Sequence, residues 1–302
     1  ETTLKQPLGM LKATEVPVTI HTHTVNAPEV YNIRAVVSYD KDKNADNNVA
    51  TATVAVIKAE VDTPQNLEAS DSNPVNLTWD APAYEVATVT DDFEGYDAWS
   101  TNLGNWTTVD ADQGIAGSLA ALFTYPHQHE KFAFMAWRPM DFFHPNQGLE
   151  PHSGDIALVS IYQENERRNT VMAADNWLIS PLLSGKKQTV SIWVNNKRAN
   201  YPRYGIETFD ILASSTDKNI TSFEVVGSYE KSAEGWEEIK FEVPEGTRFF
   251  AIHQNSEWTY AYLLMFDDFT YEGSTAPESY NIYRDGELIG SVYEPGFTDN
   301  VP

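Results

Sequence analysis

Residues 76–82 read Asn76-Leu77-Thr78-Trp79-Asp80-Ala81-Pro82, a strand that stops abruptly. Apolar residues alternate with polar ones at Leu67, Ala69, Val75, Leu77 and Trp79, the period of a chain with one face against a core. The next strand of that sheet does not follow Pro82. Its continuation lies far downstream, where Tyr280, Ile282 and Tyr283 lead into Arg284-Asp285-Gly286-Glu287, a hairpin with the Asp-Gly turn that accepts positive φ. About 190 residues therefore stand inserted in one loop of a small sandwich, at little entropic cost if the ends of the insert lie close together.

The insert, residues 84–273, must then begin and end on neighbouring strands. It opens with Asp91-Asp92-Phe93-Glu94-Gly95 and closes with Phe266-Asp267-Asp268-Phe269. Between them, alternating segments cover 155–163, 176–183, 188–196, 208–215, 223–230, 236–244 and 248–255. Helical periodicity is missing, with one turn of helix allowed in 216–226. Seven to nine strands with the first and last adjacent predict an all-β jelly roll. Upstream, residues 16–60 alternate with period two around the polar turn Lys41-Asp42-Lys43-Asn44-Ala45-Asp46, a hairpin signature.

Seven segments in order, among them Asp91–Gly95, Trp106–Gly114, Asp175–Leu183, Ile211–Val226 and Phe266–Gly273, resemble the hemagglutinin or cleaved adhesin domains attached to gingipain proteases, and the related choice-of-anchor jelly rolls. The flanks resemble the two parts of a fibronectin type III domain, with Trp79 in its core, and residues 31–56 resemble the last strands of adhesion-type Ig-like repeats. The resemblance implies four segments: 1–61, the end of an Ig-like repeat; 62–83 and 274–302, a split fibronectin type III domain; and 84–273, the inserted jelly-roll adhesin domain. It also implies a secreted or bacterial cell-surface, non-catalytic adhesin that binds a host extracellular protein or glycan. The alternative is a carbohydrate-binding module accessory to a secreted protease or glycosidase. The chain departs from that pattern in a longer aromatic stretch between Gly114 and Asp175 and a shortened Asp-rich loop at Asp110–Gly114.

Composition agrees with a soluble binding protein. Forty-four acidic residues against 20 basic give a net charge of −24, which repels a phosphate backbone and argues against nucleic acid. There is no cysteine, so neither disulfides nor thiolate metal sites form. No run of 18 apolar residues appears, so no membrane insertion is expected. The first ten residues lack the charged and apolar regions of a signal peptide, and the chain is expected to be a soluble protein or a slice of a longer one.

Paired end strands bring Asp91, Asp92 and Glu94 near Asp267 and Asp268. Carboxylates this close call for a cation or a proton, and calcium, which takes six to eight oxygens, suits flexible loop ends. Glu94 and Asp267 are the expected ligands of a structural calcium, with Asp92 or Asp268 facing away. Asp110 and Asp112 have the one-three spacing of calcium loops without the downstream glutamate, and the resemblance adds them to the calcium set. Asp40, Asp42, Asn44 and Asp46 share that spacing, but neighbouring lysines oppose a cation. His21 with His23, and His127 with His129, are too few for zinc.

Catalytic patterns are lacking. No Gly-x-Ser-x-Gly elbow occurs, Ser153 has no evident base, and Glu207 and Asp210 fall on opposite faces of a strand and cannot flank one glycosidic bond. Aromatic residues offer a ligand surface instead. Trp258, Tyr260 and Tyr262 project from one face of an extended segment, and Trp137 and Phe143 lie in the long variable stretch, placed to stack on sugar or protein. Trp177 and Trp193 read as core.

Overall fold

The computed structural model describes residues 62–119, 124–141, 148–197, 206–257 and 262–300, and the backbone of 29–36 and 49–56. The chain forms two compact units, Glu1–Asp62 and Thr63–Pro302. In the first, β1 (Glu29–Val36) and β2 (Val49–Val56) form an antiparallel hairpin that closes at Val36 opposite Val49. The strand expected over 16–25 lies outside the described residues.

The second unit begins with β3 (Gln65–Ala69), β4 (Val75–Asp80), β5 (Val86–Asp91), β6 (Thr107–Asp110), β7 (Ile115–Ala116), β8 (Met135–Trp137), β9 (Ala157–Ile161) and β10 (Gln163–Glu164). It continues through β11 (Asn176–Ile179), β12 (Gln188–Lys197), β13 (Glu207–Ser214), β14 (Glu224–Lys231), β15 (Glu237–Val243), β16 (Phe249–Gln254) and β17 (Leu263–Ser274). Last come β18 (Tyr280–Arg284), β19 (Glu287–Val292) and β20 (Gly296–Asp299). One sheet runs β14-β13-β16-β11-β6, the other β15-β12-β17-β9-β8, and β5 pairs with β17. Single 3-10 turns occur at Ile220–Ser222, inside the segment allowed a helical turn, and at Pro139–Asp141. The molecule is thus the β-sandwich that the alternating pattern predicts.

β5 and β17, at the two ends of residues 84–273, are neighbours. Six register pairs join β5 to β17, from Phe269 opposite Asp91 to Ser274 opposite Val86. Beyond them Thr275 N donates to Glu85 O at 3.0 Å, and Glu85 N to Thr275 Oγ1 at 2.8 Å. Outside this closure, β4 pairs with β20 and with β3, and β18 with β19. The Trp79 ring packs edge-on against Tyr280 at 5.2 Å, so two aromatics some 200 residues apart in sequence share one contact.

The main core lies between the two sheets. Phe209, Ile211, Phe250 and Ile252 face Val190, Ile192, Val194, Leu264 and Phe266, while Phe93, Trp106 and Phe269 fill the end near the β5 closure. Each outer face also carries apolar side chains. On the β8-β9-β17 face, Trp99, Leu119, Tyr125, Phe132, Trp137 and Leu149 cover Met135, Val159, Ile161 and Met265. The aromatic stretch after Gly114 therefore builds a second hydrophobic layer, and Trp137, expected as a ligand-binding residue, is corrected to core. Its ring is fully buried, and its Nε1 donates to Leu149 O at 3.3 Å. A third, smaller layer on the other sheet gathers Trp177, Ile179, Leu212 and Phe249. Trp193 is not core: it is half-buried and stacks on His152 at 3.7 Å.

Candidate functional site

The Phe266–Phe269 stretch contains a β-bulge. Ser191 of β12 faces Thr270, but Trp193 faces Asp267, so β17 carries one extra residue, and Asp268 adopts a positive φ of 46°. A bulge breaks the alternation of faces. Phe266 and Phe269 both turn into the core, and both aspartates turn toward the loop before β9. Of the pair of which one was expected to face away, Asp92 or Asp268, it is Asp268 that turns toward the loop.

That loop binds both carboxylates and a third. Asp267, fully buried, accepts from His152 N at 2.9 Å and Ser153 N at 3.2 Å through Oδ2, and from Asp268 N at 2.9 Å through Oδ1. Glu94 Oε1 accepts from Asp155 N at 2.8 Å and Ile156 N at 2.7 Å. Asp268 accepts from His152 Nδ1 at 2.5 Å and from Ser153 Oγ at 2.8 Å. Four amide donors flanking Gly154, two on each side, therefore hold the two residues expected to bind calcium. Burial, and then the charge of Asp268, push the Asp267 carboxyl up to about 7. Asp92 is exposed, and its Oδ1 caps Glu94 N at 3.3 Å. Asp91 points inward instead, accepting from Tyr96 Oη at 3.0 Å and Trp106 Nε1 at 2.8 Å.

A second acidic group sits at the turn between β6 and β7. Asp110 Oδ1 accepts from Gln113 N, and Asp112 accepts from Gly114 N and Asp175 N, each at 2.8 Å. Asp110 Oδ2 is buried without a hydrogen-bond partner. Burial and the neighbouring Asp112 push the Asp110 carboxyl up to about 6. Among the described residues no three histidines, aspartates or glutamates converge as a metal set, so any cation needs further oxygens from amides or the backbone.

Asp110 also begins a row of buried polar groups at this end of the core. It lies opposite Asn176, which lies opposite Gln254. Gln163 Nε2 donates to Asn176 Oδ1 at 3.1 Å, and Gln254 Nε2 donates to Glu207 Oε2 at 2.9 Å. Glu207 is fully buried and also accepts from Ser256 Oγ at 2.6 Å and Tyr262 N at 2.5 Å. Sequence reading missed Gln163, Asn176 and Gln254, because only contacts between segments distant in sequence bring them together.

The remaining candidates are easily placed. Trp258, Tyr260 and Phe143 lie outside the described residues, as do His21 and His23. Tyr262 is half-buried and stacks on Tyr162 at 5.8 Å. His127 bonds Glu130 at 2.7 Å, and His129 neighbours Gln128 at 3.0 Å. Glu207 points into the core, whereas Asp210 on the opposite face takes Ser228 Oγ at 2.5 Å and Asn255 Nδ2 at 2.9 Å. Ser153 donates to an aspartate, not to a histidine, so the Ser153, His152 and Asp268 trio lacks the nucleophile–base contact of a hydrolase.

Neither a scan against protein-family models nor a search of curated proteins finds a match. The solved structures to which the chain is similar include adhesin domains, carbohydrate-binding modules and a cyclase. In particular, it is similar to the K3 cleaved adhesin domain of Lys-gingipain from Porphyromonas gingivalis W83, at 21% identity over 62% of this chain and 98% of that one, with a TM-score of 0.41. The K1 domain of the same protein gives 18% identity, coverages of 62% and 96%, and a TM-score of 0.43. A carbohydrate-binding module solved with beta-1,4-galactotriose gives 11%, 57% and 88%, with a TM-score of 0.33. No helix among the described residues is long and apolar enough to cross a membrane.

Proposed function

We propose that the protein is a non-catalytic adhesin, secreted or held at a bacterial cell surface, that binds a host extracellular protein or glycan through partly exposed aromatic residues. The observation that carries this reading is the half-buried Tyr162–Tyr262 stack, 5.8 Å between centroids and 18° between planes. Tyr162 Oη is anchored on Ser118 O at 2.9 Å and Tyr262 N on the buried Glu207, so the pair is preorganised. Flat, fixed rings between the end of β9 and the start of β17 suit stacking against a sugar or an apolar side chain at low entropic cost. Trp258 and Tyr260 are proposed as further ligand-binding residues.

Calcium is the proposed structural ion, with Glu94 and Asp267 as ligands at the β5–β17 junction. Glu94 uses one oxygen for the amide donors and keeps Oε2 for a cation, and the pairing of Asp267 with Asp268 supplies further negative charge. The segments 62–83 and 274–302 are read as one fibronectin type III sandwich interrupted by the jelly roll, supported by the β4–β20 ladder and the Trp79–Tyr280 contact. Residues 1–61 are read as the end of an Ig-like repeat.

The test is a glycan array run beside immobilised extracellular-matrix proteins. Saturable binding that Tyr262→Ala or Trp258→Ala reduces at least tenfold is expected. A defined sugar as the sole ligand selects the carbohydrate-binding-module alternative. Binding that both variants retain in full, or no binding to either set, sinks the aromatic-surface reading.

A further inference from the structure

Arg167 and Arg168 differ from the other lysines and arginines whose side chains are described. Every one of those lysines is ion-paired with a carboxylate, Arg138 and Arg284 pair with Asp141 and Asp299, and Arg248 donates to Thr216 O and Glu278 O. Arg167 and Arg168 are exposed, and their guanidinium groups meet no carboxylate, carbonyl or ring among the described residues. The carboxylate beside them in sequence, Glu166, is taken by Lys131 at 3.3 Å. In a chain with 44 acidic residues against 20 basic, two consecutive cations without a partner are a local reversal of charge. Their turn, between β10 and the bridge at Val171, is tied across its base and its tip: Asn165 N donates to Thr170 O at 3.0 Å, Arg168 N to Asn165 O at 2.7 Å, and Asn165 Nδ2 to Asn169 Oδ1 at 2.8 Å. Arg168 has a φ of 54°, in the left-handed region that glycine or asparagine enters with less strain, so the turn keeps an arginine against its backbone preference.

The turn borders an open cleft of about 390 Å³ lined by Asn165, Glu166, Arg167 and Asn169. That lining is polar throughout: it offers hydrogen bonds and a free cation, and no apolar wall for a peptide side chain. A guanidinium group holds an oxyanion through two parallel N–H donors, and an amide beside it suits a hydroxyl. We propose that Arg167, with Arg168 adding charge beside it, binds the carboxylate or sulfate of an acidic glycan. The Asn169 amide nitrogen, which has no partner of its own among the described residues, donates to a hydroxyl of the same sugar. The net charge of −24 opposes an anion at long range, but the screening length is about 8 Å at physiological salt, so the contact is decided locally. The inference rests on the reading of the protein as a glycan-binding adhesin and names the class of glycan.

The test titrates the full chain with heparin, polygalacturonate, dextran and poly-glutamate at one fixed ionic strength. Saturable binding to heparin or to polygalacturonate is expected, the first marking sulfate and the second carboxylate as the anion, and tighter than binding to neutral dextran. Arg167→Gln combined with Arg168→Gln should weaken it at least tenfold. Arg167→Lys should weaken it less, since the charge stays and the fork is lost. Both side chains are exposed and unbonded, so the variants should melt with wild type. A wild-type chain that binds neither acidic polymer, or binds dextran equally well, overturns the inference, as does a double variant that binds as wild type does. Poly-glutamate bound as tightly as the acidic glycans replaces it with an acidic-peptide site. Binding lost in the arginine variant and kept in Tyr262→Ala upholds it and removes the aromatic surface; the reverse pattern removes it and leaves the aromatic surface standing.

Discussion

Gly154 carries a backbone φ of 57°, and a Cβ there would collide with the Glu94 carboxyl. Only glycine meets both demands at low cost. Gly154→Ala is expected to lower stability by about 2 kcal/mol or more, from backbone strain and the displaced carboxylate together; urea denaturation of the variant measures it. Glu207 makes a second prediction at this scale. Burial raises its carboxyl above the ordinary value near 4.5, although bonds from Ser256, Tyr262 and Gln254 work against the shift. The folded state therefore holds the proton more tightly than the unfolded chain. Its contribution to stability is full below the ordinary value and is lost as pH rises through the raised one. Thermal midpoints across that range should fall with pH, and Glu207→Gln should flatten the slope while costing about 1–3 kcal/mol, because its amide would face Tyr262 N. A slope equal in both proteins would refute the assignment.

Among elements, the outer layer on β8-β9-β17 changes what a substitution there means. Trp137 lies under Trp99 and Tyr125, with ring centroids 5.2 Å and 6.2 Å away. Trp137→Ala should cost about 3–5 kcal/mol, visible in chemical denaturation, and should leave ligand affinity unchanged under conditions where the variant stays folded. The sequence made Trp137 look like a loop residue because its neighbours His127, Pro139 and Phe142 carry no strand period, and β8 is only three residues long. Long strands were legible for the opposite reason: β12 and β16 alternate over enough residues to reveal their face. The carboxylates in the middle of β17 were legible as a group but not in their directions. One extra residue at Asp268 reverses the alternation, and no local composition signals such a bulge. The amide row of Gln163, Asn176 and Gln254 was hidden because only the register between distant strands brings it together.

For the whole molecule, the β5–β17 closure gives residues 84–273 adjacent ends. A fragment of residues 84–276 is therefore expected to fold alone, with a thermal midpoint within a few degrees of the main transition of the full chain; a fragment without cooperative unfolding would contradict the closure. The flanking strands depend on it in a different way, since β4 reaches β20 only after the chain has passed through the insert. The same geometry decides how the molecule carries tension. A pull applied at Thr63 and Asn300 is borne first by the β3-β4-β20 ladder, because the chain enters and leaves the insert side by side. The sandwich, closed at its own ends by β5 and β17, is expected to be loaded only after that ladder yields, which a two-step force–extension trace between these residues would show.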